Sequence, residues 1–292
     1  MSKNTIDGIP KQRSQLAEIW RRYRRNKAAV AGVIILLFII AVALLAPVIA
    51  PEGYDVQNIS EALRPPFSPG HLLGTDNNGR DMLARIVWGA QVTLKVGLVA
   101  VAVSFIGGMI FGSIAGYFGG VVDNIIMRIM DVLLAIPGML LAIAIAAALG
   151  AGMTNAIISV GIAGVPGFAR MVRSSIMSIR EQEYIEAART INAGHLRIIF
   201  KDILPNCLAP ILVMTTLSIA NAIMQTASLS FLGLGIQLPV PEWGSMISAG
   251  RQFLNGYAYM VFVPGIAIML VVFAINVIGD GLRDALDPKL KR

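Results

Sequence analysis

The sequence is poor in the residues that build disulfides and metal clusters. Among its 292 residues is a single cysteine, Cys207, which excludes an intrachain disulfide and a cysteine-cluster metal site. The two histidines, His71 and His195, are far apart in the sequence and are predicted on opposite sides of a membrane. We therefore expect no metal site within this chain.

Charged residues are also scarce. They make up 14% of the chain, against roughly 25% in soluble domains, while hydrophobic residues reach 56%. The net charge of +7 would suit nucleic-acid binding, but the basic residues lie beside long apolar runs. The composition therefore predicts a lipid bilayer as the environment and no nucleic-acid partner.

The sequence lacks the motifs of ATP hydrolysis and covalent catalysis. No Gly-x-x-x-x-Gly-Lys-Ser/Thr segment occurs, so the chain cannot cradle phosphates in the P-loop manner. It contains no nucleophile–base set that would indicate a membrane enzyme. A secondary transporter would be expected to carry ionisable residues at mid-membrane, whereas the charges here lie near the ends of apolar runs. We therefore predict that the chain is not an enzyme and binds no cofactor itself.

What the chain has in abundance is apolar runs long enough to cross a bilayer, which takes about 20 residues. There are six candidates, at 28–50, 92–117, 121–149, 156–171, 209–232 and 259–278. The third contains Pro137, which neighbouring helices can accommodate. The first exceeds the apolar core of a signal peptide, so we expect an uncleaved anchor. The predicted fold is an all-α integral membrane protein with six transmembrane helices.

Basic residues predict the orientation of these spans. Lys and Arg number eight before the first span, six between spans four and five, and four after span six, which is 18 of the 24 in the chain. Six spans place these three segments on one side of the membrane. The excess of positive charge marks that side as the cytoplasm and predicts that both termini lie there.

The spans divide the chain into segments of different character. We expect residues 1–27 to form a basic amphipathic tail that anionic lipid holds at the inner membrane surface. A first span follows at 28–50, an extracytoplasmic segment at 51–91, a transmembrane core at 92–280 and a cytoplasmic tail at 281–292. A disordered basic leader is the alternative interpretation of residues 1–27. Asp81 or Asp76 is expected to cap the helix that enters span two. Trp243 is expected at headgroup level in an outer interfacial helix.

Several residues within the spans are candidates for a site or for packing. Arg128 and Asp131 are three residues apart on one helix face and predict a structural ion pair, with a functional site as the alternative. Glycines at 108, 112 and 116 predict close helix packing, either internal or against a second subunit. Asn221 and Gln225 are co-facial, and with Ser228 they suit a polar pathway or interhelical hydrogen bonds equally well.

The most informative stretch is polar and charged although apolar runs lie on both sides of it. We call residues 181–206 the polar segment. It predicts a short helix with a stripe of Tyr184, Ala187, Ala188 and Ile191, a turn, and a second helix over 195–203 that Pro205 ends. The apolar stripe of the second helix comprises Leu196, Ile199, Phe200 and Ile203. Such a segment is typical of a surface that a soluble partner binds.

Glu186-Ala187-Ala188, followed by Leu204-Pro205, resembles the "EAA" segment of bacterial ATP-binding-cassette (ABC) importer permeases. Further patterns are similar to the peptide and nickel branch of that family. They are Leu73-Gly74-Thr75-Asp76 with Gly79-Arg80-Asp81, Asp131 to Pro137, Phe231 to Gly235, and Gly279 to Pro288. Together these matches cover most of the chain from residue 28 to 292.

The resemblance implies a type I importer fold in which one N-terminal span precedes a five-helix core, in the bacterial cytoplasmic membrane. It implies a second homologous permease, two ATPase subunits that carry ATP and Mg, and an extracytoplasmic binding protein. It also implies uptake of di- or oligopeptides, with nickel or another small solute as the alternative. The long segment before span two looks like the second of the two permease types.

The resemblance assigns ATPase coupling to 172–206, and within it to Glu186, Ala187, Ala188, Asn192, Gly194, Leu204 and Pro205. The family has a glycine at the turn where this chain has Asn192. Asn is the residue that best replaces Gly at positive φ. We therefore expect Asn192 to adopt a left-handed conformation and Gly194 to begin the second helix.

Overall fold

A computed structural model describes residues 15–286, which leaves the first half of the predicted N-terminal tail and the last six residues outside the description. Within that range the chain is helical and has no β-strand. The helices are α1 Gln15–Arg25, α2 Lys27–Leu44, α3 Ala46–Ile49, α4 Met82–Phe118, α5 Gly120–Leu134, α6 Gly138–Leu149, α7 Met153–Arg180, α8 Glu183–Thr190, α9 His195–Arg197, α10 Leu204–Phe231, α11 Trp243–Gly250 and α12 Tyr259–Leu286.

Five helical stretches of residues 15–286 are long and apolar enough to span a membrane. They are Lys27–Leu44, Met82–Phe118, Met153–Arg180, His195–Phe231 and Tyr259–Leu286. A sixth span exists only if α5 and α6 are counted together, and these two helices meet at 88°. The predicted all-α membrane fold is confirmed, and the predicted third span over 121–149 is bent at Pro137.

Pro137 explains the break between α5 and α6. Proline has no backbone N–H and disfavours helical geometry in the residue before it, here Ile136. α5 therefore ends at Leu134, and Pro137 takes the N-cap position of α6. Pro137 therefore separates two helices that meet at a sharp angle, instead of producing a kink within one helix.

The predicted close packing at the three glycines of α4 is internal. A β-carbon on Gly108 would lie 2.2 Å from Cβ of Phe168, and one on Gly112 would lie 2.6 Å from the carbonyl oxygen of Ala169. Only glycine lets the backbones of α4 and α7 approach so closely. This pairing makes α4 and α7 the centre of the bundle, and it decides between the two interpretations in favour of internal packing.

The segment between α3 and α4 lies at the opposite end of α4 from the polar segment and is built on buried charges. Arg80 donates from Nε to Asp76 Oδ2 at 2.7 Å, and both side chains are buried. Asp81, not Asp76, caps α4 by accepting from the backbone N–H of Ala84 at 2.8 Å. These contacts hold the irregular chain on the end of α4.

Trp243 does not lie at the surface as predicted. It is buried in a cluster with Ile223, Met246 and Ile275, and its indole Nε1 donates to the carbonyl of Ile86 at 3.1 Å. The hydrogen bond to a neighbouring helix removes the need for a polar partner at the membrane interface. Trp243 therefore fastens α11 to α4 instead of anchoring the chain in headgroups.

Candidate functional site: the polar segment

The turn of the polar segment has the predicted geometry. α8 ends at Thr190, and Asn192 adopts φ 57°. The backbone N–H of Ala193 then donates to the carbonyl of Ala188 at 3.1 Å, which satisfies one of the free carbonyls at the helix end. Gly194 occupies the N-cap of α9. The left-handed conformation expected for Asn192 and the helix start expected at Gly194 are both confirmed.

The second helix of the segment does not end at Pro205. α9 passes through a π-helical turn at Ile198–Ile203 into α10, and the combined helix extends from His195 to Phe231. Pro205 lies in the first turn of α10, where a missing N–H is tolerated. The wider turn before it changes the hydrogen-bond register, so the proline is accommodated without a break.

The apolar side chains of the polar segment are divided between two faces. Ile185, Ile198, Ile199 and Ile203 are buried and pack with Val172, Ile176 and Tyr117 of the bundle. Tyr184, Ile191, Leu196 and Phe200 are exposed. The predicted stripe of the second helix is therefore split, because Ile199 and Ile203 face the chain itself while Leu196 and Phe200 face outward.

The residues assigned to coupling follow the same division. Glu186, Ala187, Asn192, Gly194 and Pro205 are exposed. Ala188 is partly buried against the bundle, and Leu204 is buried. Desolvation raises the pKa of Tyr184 above its usual value. The Tyr184 hydroxyl accepts a hydrogen bond from Asn206 Nδ2 at 3.3 Å. The outward side of the segment therefore exposes large apolar side chains together with charged ones, among them the carboxylates of Glu181, Glu183 and Glu186.

The predicted ion pair between Arg128 and Asp131 is not formed. Asp131 Oδ1 instead accepts from Arg170 Nη2 on α7 at 2.6 Å. Within residues 15–286, Arg128 has no salt-bridge partner and lines a shallow cavity with Val121 and Ile125. Spacing of three along a helix permits contact, but the carboxylate of Asp131 points across to the neighbouring helix, where an arginine is within reach.

The three candidate pathway residues do not share one cavity. Asn221 lines a cavity of about 630 Å³ between α7, α10 and α12, together with Met171, Met214 and Arg283. Ser228 lines a second cavity of about 330 Å³ beside Met139 and Met224. The buried Gln225 Oε1 has no hydrogen-bond partner among the described residues. Within the same range, no three His, Cys, Asp or Glu side chains are grouped as metal ligands would be.

Comparison with known families identifies the chain. The family described as "binding-protein-dependent transport system inner membrane component" matches residues 108–292. The family described as "N-terminal TM domain of oligopeptide transport permease C" matches residues 14–66. The chain is a member of the binding-protein-dependent permease family. It is thus a multi-pass inner membrane protein of a family of translocation subunits rather than enzymes, and the resemblance to ABC importer permeases is confirmed.

Similar proteins cover nearly the whole permease. It is 49% identical to the dipeptide transport system permease protein DppC of Alkalihalophilus pseudofirmus, over 94% of this chain and 90% of that protein. It is 43% identical to the glutathione transport system permease protein GsiD of Pectobacterium atrosepticum, over 96% of this chain and 93% of that protein. The fold resembles that of a chain of the inward facing MetNI methionine ABC transporter, with a TM-score of 0.58 at 22% identity. The match covers 70% of this chain and 98% of that chain.

Sequence reasoning missed the residues that attach the polar segment of this permease to its bundle. Arg180 precedes the segment and reaches the carbonyls at the end of α4, and His195 lies beside Tyr117 of the same helix. Sequence reasoning also missed that Arg173 pairs with Asp123, which joins α7 to α5 within the bundle. The three arginines in the second half of α7, at 170, 173 and 180, were the available signal, but the sequence does not tell which carbonyl or carboxylate each one meets.

Proposed function

We propose that this chain is one of the two permease subunits of an ATP-driven importer and that it moves di- or oligopeptides inward by alternating access. The substrate class rests on the relatives, since those named above are a dipeptide and a glutathione permease. Nickel uptake has no such relative among them. Asn221 and Ser228 are proposed to line the pathway, because each opens onto a cavity along α10.

The proposed complex contains a second homologous permease, two ABC ATPase subunits and an extracytoplasmic binding protein. The family description makes transport dependent on a binding protein. ATP and Mg are proposed to bind to the partner ATPase subunits, and the lack of a P-loop motif in the sequence supports this. Both termini are proposed to be cytoplasmic, from the distribution of basic residues.

The observation that carries this proposal is the set of large apolar side chains that the polar segment exposes. Four such side chains, those of Tyr184, Ile191, Leu196 and Phe200, are exposed on a segment whose isoleucines at 185, 198, 199 and 203 are packed on the bundle. Exposed apolar clusters of this kind mark interaction sites. We propose that Tyr184, Ile191, Leu196 and Phe200 seat in a groove of the ATPase, with Glu186 facing a basic residue of that subunit.

A pair of isoleucines with nearly equal exposure tests the docking surface. Ile191 is 73% exposed in the polar segment, and Ile59 is 70% exposed in the segment at the opposite end of α4. Ile191→Glu should release the ATPase subunits from the purified permease, because a carboxylate would be desolvated in the apolar contact. Ile59→Glu introduces the same charge and should leave the ATPase bound. Equal retention of the ATPase by both variants would exclude this docking surface.

Two further measurements test the orientation and the cargo. A reporter active only in the cytoplasm, fused after Arg292, should be active in cells, and activity of a periplasmic reporter there instead would exclude the proposed topology. The full complex in proteoliposomes should take up labelled dialanine only when ATP is present. It should not take up nickel ions under either condition. Nickel uptake without dialanine uptake would replace the proposed substrate.

A further inference from the structure

Arg180 at the end of α7 fastens the polar segment to the end of α4. Its Nη1 donates to the carbonyl of Gly116 at 3.1 Å and to that of Tyr117 at 3.3 Å. These carbonyls belong to the last turn of α4, where no intrahelical donor is available and where a cation suits the helix dipole. Gly119 has φ 67°, and a β-carbon there would lie 2.8 Å from Nη1, so the turn is shaped to admit the guanidinium.

His195 fastens the other side of the polar segment to the same helix end. It is the first residue of α9, and its Nδ1 lies 2.8 Å from the hydroxyl of Tyr117. The two rings meet edge-on at 5.5 Å between centroids, and the ring of Phe118 lies 5.9 Å from the imidazole. Tyr117 is buried, so the hydrogen bond extends from the core of the bundle out to the segment.

The two attachments bracket the whole of α8 and the Asn192 turn. Residues 181–194 therefore form a loop whose two ends are held by Gly116, Tyr117 and Phe118. α4 is in turn packed backbone to backbone on α7 through its glycines. Continuous contacts therefore connect α8 to the last turn of α4 and, through it, to the centre of the bundle.

We propose that Arg180, His195 and Tyr117 are positioning residues that transmit movement of the polar segment to α4. This inference rests on the proposed docking of an ATPase to the segment, and it adds the route by which that movement enters the membrane. Docking itself requires the exposed side chains of the polar segment. Transmission requires the two attachments beneath them.

Hydrogen exchange on the full complex in nanodiscs tests this route without reference to the cargo. ATP with vanadate should alter amide exchange in 183–203 and in 110–118 of the wild type. In the double variant Tyr117→Phe, Arg180→Gln the change should persist in 183–203 and be lost in 110–118. If the change in 110–118 persists in the double variant, this inference is overturned and the proposed docking still stands. Absence of any change in 183–203 of the wild type would overturn the proposed docking and this inference together.

Transport efficiency supplies the second readout. Tyr117→Phe removes one hydroxyl and keeps the ring, so the ATPase should remain bound while dialanine uptake per ATP hydrolysed falls about fivefold, the effect of one lost hydrogen bond. His195→Phe should cause a similar loss, and the two substitutions together should cause no more than either one. Tyr257→Phe removes the same atom at the opposite end of the molecule and should have no effect. If the losses of the two single variants multiply in the double variant, or if Tyr117→Phe releases the ATPase, the proposed transmission through Tyr117 and His195 is contradicted.

Discussion

Arg173 on α7 holds both carboxylate oxygens of Asp123 on α5. Its Nε lies 2.5 Å from Oδ1, and its Nη2 lies 2.6 Å from Oδ2. A second pair, Arg170 with Asp131, joins the same two helices about two turns further along α5. Because α5 ends at the 88° corner, these pairs orient the part of the chain that leads into α6.

The two pairs differ in exposure, which predicts different contributions to stability. The Asp123 side chain is 11% exposed, whereas those of Asp131 and Arg170 are 51% and 55% exposed. Asp123→Asn should lower the free energy of unfolding by about 1.5–3 kcal/mol, because a charged hydrogen-bond partner is lost from a partly buried arginine. Asp131→Asn should cost less than about 1 kcal/mol. Thermal unfolding of the purified chain in detergent measures both, and equal losses would show that burial does not distinguish the pairs.

The left-handed turn at Asn192 predicts the effect of two substitutions. The side chain is exposed, so backbone geometry alone decides the outcome. Asn192→Gly should be neutral or mildly favourable. Asn192→Val should strain the turn by about 1–2 kcal/mol and weaken assembly with the ATPase while leaving membrane insertion intact. Co-purification of the ATPase with each variant is the measurement, and full retention by the Val variant would argue against a role of this turn in assembly.

Two adjacent alanines should respond differently to the same enlargement. Ala187 is exposed and Ala188 is partly buried against the bundle. Ala187→Trp should obstruct the ATPase and leave the unfolding temperature of the isolated chain unchanged. Ala188→Trp should displace α8, at a cost of about 1–3 kcal/mol from overpacking, and uncouple transport. Thermal unfolding and dialanine uptake separate the two effects, and normal uptake by both variants would refute the assignment of this step to coupling.

Glu242 should make the stability of the chain depend on pH. It is buried, and both carboxylate oxygens accept backbone N–H groups of α11, at 2.8 Å from Gly244 and Ser245. Desolvation raises the pKa of Glu242 above its usual value of 4.5, against the opposing effect of these hydrogen bonds. The folded state therefore binds the proton more tightly than the unfolded state, so this contribution is present below pH 4.5 and is lost as pH rises through the raised pKa.

Replacement of the titrating group is the corresponding test. Glu242→Gln keeps an acceptor for α11 but cannot ionise, so the decline of unfolding temperature from acidic to neutral pH should become shallower. Glu52→Gln, at an exposed position, should leave the decline as it is in the wild type. Identical pH profiles for the wild type and Glu242→Gln would show that Glu242 does not titrate with folding.

The local features of this permease were readable from the chain. Apolar run length predicted the spans, because a bilayer has a fixed thickness. The resemblance to the EAA segment placed a turn at Asn192, and the left-handed conformation there followed from those that Asn and Gly adopt readily. The polar segment was evident because charged residues interrupt an apolar sequence. Each of these depends on residues close in sequence and on the surrounding solvent.

Contacts between distant residues were not readable in this way. Asp131 pairs with Arg170 and not with Arg128, because the direction of a side chain across a helix interface depends on how two helices cross. Trp243 is buried because α11 folds back onto α4. Leu196 and Ile199 belong to one apolar stripe, yet only Ile199 meets the bundle. A helical period shows which residues share a face, whereas packing of the whole chain selects which part of that face is covered.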